Sequence, residues 1–316
     1  GRSGSFSAFG EARAGSYGAK PRCLAHEPPR AQARLAASSR AVVVELYLCY
    51  VLQEIGVQGM EGHQIKRMKI SFVVPAYNEE LYLEDCLHAL VAATANKPYA
   101  TEIVVVNNAS TDRTAEVARR FPEVRVVDEP RKGVTRARQR GFESTTGEFV
   151  ANIDSDVRIP VEWSDRVLAS FAQDPTLACL SGPFIYYDLS PVTRAAVKAF
   201  YFVGVIFYRV SRLCIGRGAM VQGGNFILRR SSLREIGGFD TTIEFFGEDT
   251  DIARRASTVG RVEFLFGLWV LSSGRRLKRF GLIQTGVKYA LNFLWVTLFA
   301  KPLHTAYTDI RLPDPR

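Results

Sequence analysis

Between residues 69 and 153, short β-branched runs alternate with stretches of helical spacing, and this alternation limits the fold more than any other feature of the chain. Residues 70–74 form one such run, and residues 79–93 follow with Leu83, Leu87, Leu90 and Val91 at helical spacing. Residues 102–106 predict a second buried strand, after which Thr111-Asp112 caps a helix reaching Arg120. A third strand is expected at 124–127, a third helix at 133–144 and a fourth strand at 149–153. Strand and helix at this spacing imply βαβ units, hence an α/β fold with a mostly parallel central sheet flanked by helices. Ligands of such sheets bind beyond the carboxyl ends of the strands.

The fourth run ends abruptly in Asp154-Ser155-Asp156. Residues i and i+2 of a strand share a face, and a turn just past the strand end lets both carboxylates converge above the sheet. Two hard oxygen ligands there suit Mg²⁺ or Mn²⁺, which bind through one or two carboxylates plus substrate phosphates. Taken alone, the tripeptide is equally an ordinary polar turn. Its surroundings decide. The first strand ends in Pro75-Ala76-Tyr77-Asn78-Glu79 and the second in Asn107-Asn108-Ala109-Ser110-Thr111-Asp112. Lys132-Gly133 opens a segment through Arg138-Gln139, and Gln222-Gly223-Gly224-Asn225 and Gly247-Glu248-Asp249 come later.

In this order and spacing the motifs resemble glycosyltransferase family 2, in its inverting, non-processive bacterial form, over residues 68–276. The resemblance implies a GT-A fold and transfer of one sugar from a nucleotide-diphosphate-sugar donor. On that reading Asp154 and Asp156 are the family's D-x-D pair, with Asp156 the direct metal ligand and Asp154 nearer the ribose and metal. Pro75, Ala76, Tyr77 and Glu79 hold the nucleobase and ribose. Asn107 stands where the family usually has a base-reading aspartate; an amide still donates and accepts. Arg138 falls on the arginine of an Ala-Arg-Asn motif, with Gln139 replacing the asparagine, and contacts base or diphosphate. Asp249 becomes the general base beside Glu248, while Gly223, Gly224 and Asn225 face the acceptor, Asn225 through a sugar hydroxyl. An acidic helix N-terminus followed by Arg254 and Arg255 is the plainer reading of the Glu248 to Asp251 cluster, and it suffices for Asp251.

Composition narrows the alternatives. Five scattered cysteines without a C-x-x-C argue against a disulfide framework or a zinc site, and four separated histidines against a histidine metal site. The net charge of +9 sits in the two ends: +4 over residues 1–67, −1 over 68–273 and +6 over 274–316. A neutral body disfavours nucleic acid as a partner, and a basic end beside an apolar helix favours anionic lipid.

Residues 1–67 read as a disordered or non-native leader, with Met68 or Met60 the natural start; an amphipathic membrane helix at 41–57 competes. Residues 68–275 form the transferase domain, its nucleotide-sugar half at 68–158 and its acceptor half at 159–275, and 276–316 form a basic, amphipathic tail. The apolar stretch within 195–212 is either a core helix beside the acceptor cleft or one dipping into a membrane interface. Residues 275–279 lead into a helix at 282–299 bearing Tyr289, Phe293, Leu294, Trp295 and Phe299, with Lys288 and Asn292 one turn apart. That pattern suits a monotopic anchor, or else a terminal helix packed on protein. Arg275 and Arg276 are also candidates to reach the donor diphosphate. The Q-x-x-R-W motif of processive synthases is not found here, so single addition is expected.

The expected protein is therefore a Mg²⁺- or Mn²⁺-dependent transferase of cell-envelope glycan or glycolipid synthesis. Its acceptor is a glycan or a lipid-linked molecule, a polyprenyl phosphate included, and its place the cytoplasmic face of the plasma membrane. A sugar nucleotidyltransferase or a non-catalytic nucleotide-sugar-binding protein are the rivals; the former opens with a Gly-rich basic loop where this chain has Pro75-Ala76-Tyr77.

Overall fold

A computed structural model describes residues 66–215, 219–244 and 247–299. The alternating runs become strands β1 (Lys69–Ala76), β2 (Ala100–Asn107), β3 (Val124–Asp128) and β4 (Phe149–Ile153), joined by helices α1 (Leu83–Thr94), α2 (Thr114–Arg119) and α3 (Val134–Glu143). β1 pairs in parallel with both β2 and β4, and β2 in parallel with β3. Parallel strands buried on both faces need near-continuous apolar sequence; β4 is buried at all five positions.

The second half completes the sheet. After β5 (Val157–Arg158) and α4 (Trp163–Gln173) come β6 (Leu177–Ser181), β7 (Phe184–Tyr186) and the long helix α5 (Pro191–Ile215). β8 (Asn225–Arg229), α6 (Arg230–Glu235), α7 (Glu248–Ala256), β9 (Arg261–Phe264) and β10 (Val270–Ser272) follow, then α8 (Arg275–Phe280) and α9 (Leu282–Phe299). The large sheet has the order β3-β2-β1-β4-β8-β6-β9, and β5-β10-β7 form a small second sheet. β8 runs antiparallel to both β4 and β6, so the sheet is mostly parallel, as expected, with one reversed strand.

Two apolar cores cover the sheet faces. One joins Phe72, Phe149, Trp163 and Phe171 under α1 and α4, and the other joins Val73, Ala137, Phe226 and Ile252 under α3 and α7. A third cluster packs Val197, Tyr201, Val205 and Tyr208 of α5 around Phe264, with Leu282 and Phe293 of α9 against it.

The expected element boundaries shift in one place that matters. The helix predicted from Glu79 begins at Leu83. Asn78 takes a left-handed φ of 51°, and the Glu79 carbonyl accepts from the amides of Tyr82 and Leu83, which closes a turn first. Glu79 is thereby left in a loop at the strand end, with its side chain turned inward. The helix expected within 195–212 is longer; it packs one face on the core and leaves Phe202, Val203 and Val210 exposed on the other. Among the described residues no helix is long and apolar enough to cross a membrane. Expectations for residues 1–65 and for Phe299's side chain lie outside what is described.

Candidate active site

The carboxyl ends of β1 and β4, the loop before β8, the start of α7 and the start of α8 surround one cleft of about 840 Å³. Pro75, Ala76, Tyr77, Arg138, Asp154, Asp156, Gly223, Glu248 and Asp249 all line it, so most of the residues singled out in the sequence meet in one place.

Arg138 organises the centre. α3 lies close on β1, since a Cβ on Gly141 would come within 2.2 Å of Val73 Cγ1, and that closeness carries Arg138 fully into the interior. Its guanidinium donates to Asp154 Oδ1 at 3.2 Å, forms an ion pair with Glu248, and lies 5.0 Å from the centre of the Phe226 ring. One buried cation thus fixes a carboxylate from β4's end and one from α7. Burial pushes the Glu248 carboxyl up to about 7, against the pull of Arg138. Burial also raises Asp249, against the hydrogen bonds of Thr250 and the Gly223 amide. Asp249 Oδ1 accepts from the Thr250 amide at 2.8 Å and from the Thr250 hydroxyl at 3.3 Å.

Gly224 is required twice over. Its φ is +82°, and a Cβ would lie 2.2 Å from the Asp154 carboxyl carbon. Its carbonyl accepts the Asp154 amide, so the loop and the carboxylate are built against each other.

The second acidic residue of the pair sits in another network. Asp156 Oδ2 is 3.2 Å from Arg275 on α8. Arg275 also forks onto Glu79, at 2.8 and 2.7 Å, and covers the Tyr82 ring at 4.6 Å. Glu79 does not line the cleft; it lies buried behind it as the fixed counter-ion of Arg275. Its expected contact with base or ribose is corrected accordingly.

Two further expectations change. Asn225 is fully buried, accepts from the Trp163 indole at 3.1 Å and donates to the carbonyls of Gly182 and Leu268. Its amide is used up in joining β8 to the core, so it does not face an acceptor. Asn107 does not line the cleft either; it donates to Asp128 Oδ1 at 2.8 Å, and its own buried oxygen lacks a partner among the described residues. Its neighbour Asn108, passed over in the sequence, does line the cleft and ties three loop groups together, accepting from the Gly133 amide and donating to the Glu129 and Arg131 carbonyls. Lys132 was passed over as well: its ammonium lies 3.8 Å from the Tyr77 ring centre, a cation at the rim of the strand ends. Asp251 pairs with Arg254 and Arg255 on its own helix, as the plainer reading held.

A divalent cation fits the cleft chemically. Asp154 and Asp156 bring two hard oxygen donors to the cleft, each beside an arginine, and among the described residues no group of three His, Cys, Asp or Glu could hold a metal ion by itself. Mg²⁺ and Mn²⁺ complete such a half-shell with substrate phosphate and water.

The sequence profile of glycosyl transferase family 2 matches residues 71–237. The chain belongs to that family. Among curated proteins, the uncharacterized glycosyltransferase YibD of Escherichia coli is 35% identical over 110 residues, covering 34% of this chain and 31% of that protein. The glycosyltransferase AglE of Haloferax volcanii is 26% identical over 197 residues, 60% of this chain and 62% of its own length. The match thus spans about a third of the first of these relatives. Solved structures share the fold: the mannosyltransferase PcManGT of Pyrobaculum calidifontis, in complex with GDP-Man and Mn²⁺, has TM-score 0.54 at 21% identity, covering 82% of this chain and 75% of its own. TarS of S. aureus has TM-score 0.51 at 19% identity, covering 72% of each chain. The fold is GT-A, with the central sheet and flanking helices anticipated above.

Proposed function

We propose that this protein transfers a single sugar, with inversion, from a nucleotide-diphosphate-sugar to an oxygen nucleophile. The observation that carries the reading is the placement of Asp249 in the same cleft as the Asp154–Asp156 pair, with buried Arg138 bracing Asp154 from behind. An inverting transfer needs one base and one site for the leaving diphosphate, and this grouping of carboxylates supports both roles.

The acceptor oxygen attacks the anomeric carbon from the face opposite the diphosphate. A carbon–oxygen bond forms there, the bond to the diphosphate breaks, and its electron pair leaves with the phosphate oxygen. The acceptor's proton passes to the Asp249 carboxylate, whose other duties are fixed by Thr250. Asp154 and Asp156 would hold Mg²⁺ or Mn²⁺, which when bound would supply positive charge against the departing diphosphate. Arg275 and Arg276 line the same wall, where guanidinium groups meet phosphate oxygens well. Tyr77 and Lys132 at the strand ends hold the nucleoside. PcManGT, solved with GDP-Man and Mn²⁺, supports the donor class and the metal. A nucleotidyltransferase finds no support in the family match, and the intact base disfavours a purely binding role.

A panel of nucleotide-sugars, assayed for release of nucleoside diphosphate with Mg²⁺ or Mn²⁺, tests this. Asp156→Ala should abolish release and most metal-dependent nucleotide binding with the fold intact. Full release in that variant removes Asp154 and Asp156 from the metal role.

A further inference from the structure

The donor-side groups occupy one end of the cleft. The other end runs between α5 and α9 and has a different chemistry. From α5 it is walled by Val197, Phe200, Val203 and Phe207, which recur every three or four residues along one helix face for about 15 Å. From α9 the apolar part of the wall is Ile283, Val287, Ala290, Phe293 and Leu294. No charged side chain of either helix lines it; Lys198 and Lys288 point elsewhere. Phe207 and Phe293 meet edge to face at 5.9 Å, so the two walls touch there.

If these helices merely completed a core, their facing side chains would be buried. Instead Phe200 is 42% and Val203 64% exposed. Most of the side chains that α5 and α9 bring to this end are apolar, with few hydrogen-bonding groups among them. The polar side chains that the two helices bring to the cleft are Tyr201, Thr285, Tyr289 and Asn292, and the Thr285 hydroxyl is buried with no hydrogen-bond partner among the described residues. A buried hydroxyl without a partner is costly, and a ligand oxygen would relieve it.

We infer that this end of the cleft holds the hydrocarbon tail of an amphiphilic acceptor, whose oxygen-bearing head lies between Thr285 and Asp249. The inference rests on the transferase reading for the role of the head, but the tail site stands on the apolar wall alone. The tail class is a single linear chain, saturated or isoprenoid, since the two helices form a slot rather than a flat patch.

Gly286 offers a clean probe. It lines the slot, and a Cβ there meets nothing within 4 Å, so a larger side chain enters open space without disturbing backbone. Leucine is also the better helix former. Ile283 also lines the slot and is 81% exposed, so Ile283→Glu puts a charge in the wall with little packing lost.

The experiment is calorimetric titration of the full chain, without donor, with n-alkyl β-glucosides from butyl to dodecyl and with the matching alkyl phosphates, each below its critical micelle concentration. One-to-one binding should tighten about fourfold per methylene while the chain remains inside the slot, then level off. Gly286→Leu should move the levelling to shorter chains, and Ile283→Glu should weaken dodecyl binding at least about tenfold. Both variants should keep wild-type donor hydrolysis, because neither residue touches the donor end. Affinity independent of chain length in both series, or dodecyl affinity unchanged in both variants, overturns the tail site. Absent donor hydrolysis with intact alkyl binding would instead count against the transferase reading alone.

Discussion

At the scale of single residues, the site depends on groups that have no freedom to be anything else. Gly224→Ala should abolish turnover, because the new methyl meets the Asp154 carboxylate and the backbone is left-handed there. A strained backbone of that kind costs about 1–3 kcal/mol, so a denaturation midpoint should fall alongside activity. A variant with wild-type turnover would show that the loop does not fix Asp154. The raised proton affinities of Asp249 and Glu248 make a second prediction. A base must be ionised, and burial makes both carboxyls hold protons more tightly than in water. Turnover should therefore climb with pH, on a limb lying above the ordinary aspartate value of about 3.9, and fall as Asp249 is protonated. A limb at or below that value would mean that the ionising base is a solvated carboxylate elsewhere.

At the scale of elements, the first turn of α8 is tied to the nucleotide half through Arg275, which bridges buried Glu79 and Asp156. Arg275→Gln removes the bidentate charged partner of buried Glu79, which should cost about 3 kcal/mol or more. Adding Glu79→Gln should restore part of that loss, and chemical denaturation of the two variants measures it. Additive losses would show that the pair does not interact. Such a link was not legible in the sequence: the partners lie 196 residues apart, and nothing local announces them. The strands were legible, because burial on both faces demands the β-branched runs seen at residues 70–74 and 102–106. The start of α1 was not, because a left-handed Asn78 and the Glu79 turn override the apolar period. Asn225 was misread for a related reason. Its position beside two glycines marks the loop correctly, but only the fold shows that its amide faces Trp163.

At the scale of the whole molecule, a GT-A sheet gathers strand ends, a helix start and a C-terminal helical pair around one cleft. The sequence placed the basic charge at the ends, and the structure engages part of it internally: Arg275 holds Glu79 and Asp156, and Lys278 pairs with Asp188 at 2.9 Å. That leaves less of the run for anionic lipid than the charge count implied, while the apolar slot between α5 and α9 gives the same segment a role inside the protein. The most direct test of the account is a comparison of wild type with Asp249→Asn, using the nucleotide-sugar that the donor panel selects. Donor and metal should bind the variant within about threefold of wild type, while donor turnover falls by about 10²–10⁴. Turnover within about threefold of wild type would contradict the assignment of Asp249, and with it the claim that this cleft performs the transfer.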